Sequence, residues 1–288
     1  MSPRRIALTA LVGLTAAMAA LVFSAGEVLS RPATRAIGLP PSDFPAQVVH
    51  LKAAPTVSIV GWFAQGQSGR GAVLLLHGVR ADRTQMLRRA RFLSRAGYAV
   101  LLVDLPAHGE SGGDRITFGA REGEGVKAAL EFLRRELPGE RVGIVAVSLG
   151  AASTVLAHPK PSPSAVVLES MYPTIEEAVQ DRLMMRLGPL GAYLAHPLLW
   201  QLPLRTGVRV EDLRPIEHIP SLGAPVLVAS GAEDKHTTWP ETLRLFQAAT
   251  EPKELWRVEG AAHVDLHAFQ PEQYEDKILL FLAKHLRK

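Results

Sequence analysis

The stretch Arg141-Val-Gly-Ile-Val-Ala-Val-Ser148-Leu-Gly150-Ala-Ala-Ser-Thr-Val-Leu-Ala157 decides the reading of this chain. A short apolar run ends at a serine, and a helical stretch of small residues begins at once. A strand that becomes a helix at one serine pushes that hydroxyl out beyond the sheet edge. So tight a turn leaves little room for neighbouring side chains, and Ala146, Gly150 and Ala151 supply almost none. A serine hydroxyl is a poor nucleophile until a base takes its proton. The rest of the chain must supply that base.

On either side of this stretch, apolar runs alternate with helical patterns. Gln47 to Lys52 and Val57 to Phe63 read as strands separated by Pro55. Ala72 to Leu76 and Tyr98 to Val103 are solid apolar runs, expected of strands covered on both faces. Ala165 to Leu168, Pro225 to Ala229 and Leu255 to Val258 complete the set. Between them, Asp82 to Arg95 reads as a helix capped by Asp82, and Phe118 to Leu137 carries Val126, Leu130, Leu133 and Leu137 at helical spacing. Glu272 to Leu286 closes the chain as an amphipathic helix. Such alternation predicts an α/β fold, a mostly parallel sheet of about eight strands with helices on both faces. Ligands on such sheets gather at the carboxyl ends of the strands.

The residues just after each strand fit that rule. Ser148 comes directly after its strand, Gly231-Ala-Glu233-Asp234-Lys-His236 comes after the Pro225 run, and Gly260-Ala-Ala-His263-Val-Asp265-Leu-His267 comes after the Leu255 run. A serine needs a histidine base, and the base needs a carboxylate to fix its tautomer. Glu233 and Glu169 are alternative carboxylates, and His236 and His267 alternative bases. His77-Gly78-Val79 succeeds the Ala72 run, and Asp104-Leu-Pro-Ala-His108-Gly109-Glu-Ser111 succeeds the Tyr98 run. His77 reads as a structural histidine tying loops together. The Asp104 to Ser111 stretch looks like an α/β-hydrolase superfamily loop, Asp-x-x-x-His-Gly-x-Ser, and that resemblance implies structural roles for Asp104 and His108.

Ala146-Val-Ser148-Leu-Gly150 resembles the nucleophile elbow of the α/β-hydrolase superfamily, with alanine in place of the usual first glycine. The order Ser148, Asp234, His263 is the superfamily's order of nucleophile, acid and base. Its Gly-x-x-Asp spacing selects Asp234 over Glu233, and Gly260-Ala-Ala-His263 matches its histidine loop. The resemblance also implies an oxyanion hole formed by the backbone amides of Val79 and Leu149. By layout, and by Glu169-Ser-Met-Tyr-Pro-Thr-Ile, the chain is similar to the membrane-anchored Bem46-like and serine-peptidase-like hydrolases. The implied activity is cleavage of an ester, thioester or amide, carboxylesterase- or lipase-like. Acyl transfer, peptidase action, or binding without turnover are the alternatives.

Between Tyr172 and Pro215 the sheet pattern pauses, and this insertion reads as a small helical cap. Met184, Met185, Leu187, Tyr193 and Trp200 are its candidate substrate-binding residues, an adaptable apolar wall over the strand ends. Packing of the cap on the domain, or against a bilayer surface, is the alternative use of those side chains.

Ile6 to Gly26 carries no charge over 21 residues, about 31 Å of helix, close to the thickness of a bilayer core. It reads as a signal anchor, or alternatively as a cleaved signal peptide. Arg4 and Arg5 favour a cytoplasmic amino end, which puts the folded domain outside the cytoplasm. Residues 27–46 read as an irregular linker, and the hydrolase domain as 47–288.

Composition sets further bounds. The chain has 288 residues, 47% hydrophobic and 21% charged, which suits a sizeable globular core. With no cysteine, disulfides, thiolate metal sites and a cysteine nucleophile are excluded. The net charge of +4 includes no dense basic block, so nucleic-acid binding is not expected. The scattered histidines form no His-Glu-x-x-His or comparable ligand set, and neither a metal nor a cofactor is expected. The expected partners are a small ester or lipid-like substrate and, through the N-terminal segment, a membrane.

Overall fold

The computed structural model describes residues 2–287; Met1 and Lys288, which end the expected N-terminal segment and hydrolase domain, lie outside the described residues. Eight apolar runs form one sheet: β1 (Gln47–Ala54), β2 (Val57–Ala64), β3 (Ala72–Leu76), β4 (Ala99–Val103), β5 (Val142–Val147), β6 (Ala165–Glu169), β7 (Val226–Gly231) and β8 (Lys253–Val258). Their spatial order is β8-β7-β6-β5-β3-β4-β2-β1. β2 pairs antiparallel with β1 and β4, and the other five pairings are parallel. The central strand β3 is buried at all five positions, which is why it shows no alternation in sequence.

The principal helices are α1 (Pro3–Ser30), α2 (Leu87–Arg95), α3 (Glu122–Glu136), α4 (Leu149–Leu156), α5 (Ile175–Leu187), α6 (Leu190–Trp200), α7 (Leu202–Thr206), α8 (Trp239–Ala248) and α9 (Pro271–Leu286), with single helical turns at Pro215–His218 and Leu266–Phe269. One face of the sheet packs against Val126, Leu130 and Leu133 of α3, Ala151, Ala152 and Val155 of α4, and Leu245 of α8. The other packs against Ala90 and Leu93 of α2 and Tyr274, Ile278 and Leu282 of α9. Full burial of one Leu or Ile contributes about 1.5–3 kcal/mol, so these layers hold the strand ends in fixed register. The fold is the expected α/β-hydrolase sandwich, with an N-terminal apolar helix.

Helix boundaries show where local chemistry overrides periodicity. Asp82 caps a single 3-10 turn, Arg83–Met86, accepting from the Thr84 amide at 2.9 Å before α2 begins. The helix expected from Phe118 starts only at Glu122. Phe118 and Gly119 have φ of 54° and 114°, and Glu122 turns back to accept from Thr117 and Gly119 amides at 2.7 and 2.9 Å. The buried Glu122 carboxylate thus satisfies the loop ahead of the helix it begins.

α1 runs past Gly26 to Ser30, and Arg31-Pro32 ends it, since a residue before proline avoids helical geometry. Its 28 residues span about 42 Å, against about 30 Å for a bilayer core. Ile6, Leu8, Leu11, Val12, Leu14 and Leu21 are exposed, whereas Gly26 and Ser30 are buried. The last turns dock on the cap. The Gln201 amide donates to Val22 O at 2.9 Å, and Glu27 pairs with Arg205 at 2.6 Å and Arg115 at 2.7 Å.

Candidate active site

Ser148 stands between β5 and α4 with φ 50° and ψ −107°, a conformation costing a non-glycine residue about 1–3 kcal/mol. Neighbouring strands hold it there. Its amide donates to Glu169 O at 2.8 Å, and the Gly150 amide donates to His77 O at 3.1 Å. At Gly150 a Cβ would come within 2.7 Å of Leu76 Cβ and 2.8 Å of His77 O, so glycine is required for α4 to start this close to β3. Ala146, where the superfamily has glycine, lies within β5 beside Leu76 and Leu168, and its methyl is fully buried in the core.

The loops after β7 and β8 meet because Gly231 has no side chain: a Cβ there would lie 2.3 Å from Ala261 O. The Ala232 amide donates to Val258 O at 2.9 Å and the Glu233 amide to Ala261 O at 2.8 Å, tying one loop to the other. This brings Asp234 Oδ2 to 2.7 Å from His263 Nδ1. The other carboxylate oxygen accepts from the amides of His236 at 2.8 Å and Thr237 at 3.0 Å. Burial alone would raise the Asp234 carboxyl, but the His263 hydrogen bond and these backbone donors outweigh it and hold it below its ordinary value. Asp234 is therefore an ionised, fixed acceptor for the His263 Nδ1–H. Among the described residues Ser148 Oγ has no hydrogen-bond partner.

The alternative carboxylates and bases are placed elsewhere. Glu233 is exposed. Glu169 is buried beneath the elbow, paired with Arg89 at 2.6 Å and accepting from the Tyr274 hydroxyl. His267 bonds Glu275 at 3.0 Å and packs against Phe92 and Tyr274. His236 lies against the His263 ring, centroids 4.7 Å apart, and its side chain has no bond to Asp234.

His77 and the Asp104 loop are scaffold. Leu105 N–H donates to His77 Nε2 at 3.0 Å, so Nδ1 carries the proton and donates to Gly78 O at 2.7 Å. Burial, then the neighbouring His108, lowers His77 to about 3, so it stays neutral. Asp104 accepts from the Arg83 guanidinium, the Arg83 amide at 2.7 Å and the Glu110 amide at 2.9 Å. Gly78 does not supply the left-handed residue of the turn after β3; Arg80 does, with φ 58°. Gly78 instead lies against the nucleophile, where a Cβ would be 3.8 Å from Ser148 Cβ. Its amide is anchored to Gln85 Oε1 at 2.7 Å. Val79 and Leu149 thus flank Ser148 at the same sheet edge, and both border the cleft above it.

That cleft, about 190 Å³, is walled by Leu29, Phe118, Tyr172, Ile175, Val179 and Leu198, with Arg80, Arg182 and Arg186 on it. The Tyr172 hydroxyl donates to the Phe118 backbone carbonyl at 2.6 Å, tying the Tyr172 ring to the loop ahead of α3. None of Met184, Met185, Leu187, Tyr193 and Trp200 borders the cleft; all five are exposed on the outside of α5 and α6. The expectation that they wall the cleft is corrected: Val179 and Leu183 of α5 and Leu198 of α6 border it instead. α5 is apolar on more than one side, so composition did not reveal its inner face. Leu29 was missed because α1 reads as a tether, and Phe118 because it reads as helix.

An eight-stranded, mostly parallel sheet with a serine at a strand–helix elbow and an Asp–His pair on later strands defines an α/β hydrolase. A model of the alpha/beta hydrolase family matches residues 73–277. The chain belongs to that family, and so to the hydrolase class of enzymes. It is 32% identical over 225 residues to an uncharacterized Mycobacterium tuberculosis protein, Rv2307c, covering 76% of this chain and 71% of that one. It is 23% identical over 229 residues to the uncharacterized Bacillus subtilis protein YqkD, covering 78% and 75%. Among solved structures, the Pyrococcus furiosus esterase Pf2001 superposes with a TM-score of 0.75 at 22% identity, over 90% of this chain and 98% of that one. The hydrolase GrgF from a Penicillium species gives 0.65 at 20% identity, over 84% and 99%. At these identities the two structures share the fold.

Proposed function

We propose that the chain is a membrane-tethered serine esterase. Ser148 Oγ attacks the substrate carbonyl while His263 Nε2 takes its proton, and Asp234 holds the imidazolium through Nδ1. The carbonyl oxygen, now negative, is met by the amides of Val79 and Leu149; losing one such donor typically costs about 2.7–4 kcal/mol of barrier. His263 then protonates the departing alcohol, leaving an acyl-Ser148, and water activated by His263 releases the acid. For the first step the imidazole must close on Ser148 Oγ, a contact that tightens in many hydrolases only when substrate is bound.

The observation that carries this reading is the 2.7 Å Asp234–His263 contact on the sheet edge that presents Ser148. The esterase named among the structural neighbours lends support to ester over amide cleavage. The test is turnover of 4-nitrophenyl butyrate and octanoate. The wild-type chain is expected to hydrolyse at least one of them, and Ser148→Ala to lose at least a thousandfold of that rate; undiminished turnover refutes the assignment.

The tether is α1, whose exposed apolar residues from Ile6 to Leu21 suit a bilayer. Docking of Val22 to Ser30 on the cap favours a retained anchor over a cleaved signal. The outer apolar side chains of α6, Leu190, Tyr193 and Trp200, then rest on the membrane surface beside it. Membrane fractionation of the full chain and of a chain lacking residues 1–30 tests this, with the shortened form expected in the soluble fraction.

A further inference from the structure

Most arginines of this fold have carboxylate partners: Arg83 with Asp104, Arg89 with Glu169, Arg205 with Glu27, Arg214 with Glu176 and Arg244 with Glu177. The three on the cleft do not. Arg182 is half-buried, and its one hydrogen bond runs back to Ala178 O of its own helix at 2.7 Å. Arg186 follows one turn later on the same side of α5, and among the described residues it forms no ion pair or side-chain hydrogen bond. Arg80, in the loop after β3, donates only to the carbonyls of Val28 at 3.0 Å and Arg31 at 3.4 Å. Asp234, Asp181 and Glu241 act on Arg182 electrostatically, and none of them forms an ion pair with it. Burial, and then Glu241, pushes Asp181 up to about 7, so it offers only part of a counter-charge at neutral pH. Arg182 and Arg80 are partly buried and Arg186 is exposed; a partly buried guanidinium without a carboxylate in contact is stabilised when a ligand oxyanion completes it. Guanidinium also binds carboxylate and phosphate oxygens bidentately.

We propose that Arg182 and Arg186, together with Arg80 on the same cleft, form an anion subsite, so that the substrate is an anionic amphiphile: an ester carrying a carboxylate or phosphate. This rests on Ser148 being the nucleophile. Arg182 and Arg186 both act electrostatically on His236, the ring that lies against His263, so a bound anion would sit beside the acid–base pair. The apolar walls from Ile175, Val179 and Leu198 would take the hydrocarbon part.

Two matched ester pairs test the subsite and locate the anion. Octanoyl 4-nitrophenyl ester against the hydrogen suberate ester puts the charge on the acyl side. 1-Decanoylglycerol against its 3-phosphate puts it on the alcohol side. For the full-length chain in neutral detergent, kcat/KM is expected to favour the anionic member of at least one pair by tenfold or more, chiefly through KM. Arg182→Gln with Arg186→Gln should bring that ratio close to one, and Arg182→Lys should keep part of it. A wild-type preference for the neutral member of both pairs, or a ratio unmoved by the substitutions, overturns the subsite. If no ester turns over, the nucleophile reading fails separately, and binding of dodecyl phosphate to the unaltered chain decides the subsite. At least tenfold weaker binding by the double variant supports it, and equal binding overturns it.

Discussion

His263 Nδ1 lies 2.7 Å from Asp234 Oδ2, and Asp234 is held there by two backbone amides rather than by another side chain. The carboxylate is thus oriented before any substrate arrives, and His263 is left with Nε2 as its only free ring nitrogen. The rival carboxylate Glu169 is committed to Arg89 and Tyr274 inside the core.

Asp234→Asn and Glu169→Gln should therefore fail differently. Asp234→Asn keeps the fold and favours the wrong histidine tautomer, lowering kcat by about 10³–10⁴-fold with little change in melting temperature. Glu169→Gln removes the buried partner of Arg89, which keeps only the more exposed Asp265 at 2.9 Å, and should cost about 3 kcal/mol of stability. Thermal melts and ester kinetics on both variants check the assignment; a catalytic loss in Glu169→Gln without destabilisation would reverse it.

His77 makes stability depend on pH. Its folded value, about 3, lies below the ordinary value of 6.5, so below pH 6.5 the unfolded chain binds a proton that the native chain refuses. Native stability should fall as pH drops from 6.5 toward 3, by up to about 1.4 kcal/mol per pH unit from this group. His77→Asn should be less stable at pH 7, and its unfolding free energy should vary less steeply between pH 4 and 6.5. An equal slope in urea titrations of the two proteins would contradict the neutral, doubly bonded imidazole.

At the elbow, Gly150→Ala should be worse than its size suggests, because the new methyl meets Leu76 and the His77 carbonyl. Overpacking of this kind costs about 1–3 kcal/mol and should displace the Leu149 amide, lowering kcat as well. Ala146→Gly should leave kcat nearly unchanged. Melting curves and ester kinetics on the pair separate the two positions.

Leu29 makes α1 part of the cleft wall, beyond the tether proposed for it. Leu29→Ala should raise KM for 4-nitrophenyl octanoate severalfold more than for the acetate. If chain-length preference is unaltered, α1 is an anchor alone.

The framework of this site was legible because each part has a local signature. β3 through β7 are apolar runs bounded by turns; Ser148 and Asp234 each come just after such a run, and His263 after the less buried edge strand β8. The cap was legible as an insertion, but not which side of α5 looks inward. Met184 and Met185 are as apolar as Ile175 and Val179, and only packing against Phe118 and Tyr172 chooses between them. The ends of α1 and α3 were hidden for a related reason. Glu122 ties back the Thr117–Gly119 loop, and Arg205 and Gln201 hold the last turns of α1 across 178 and 179 residues of chain. The Arg205 and Gln201 contacts lie outside any local window, whereas the Glu122 turn is local but polar, so apolar periodicity passes over it.

The most direct test of the central claim is covalent labelling of the folded, full-length chain with a fluorophosphonate, with the adduct mapped by peptide mass spectrometry. The triad requires one phosphonyl adduct, on Ser148, abolished in Ser148→Ala and strongly slowed in His263→Ala. A folded chain that never labels at Ser148, or labels there equally fast without His263, contradicts it.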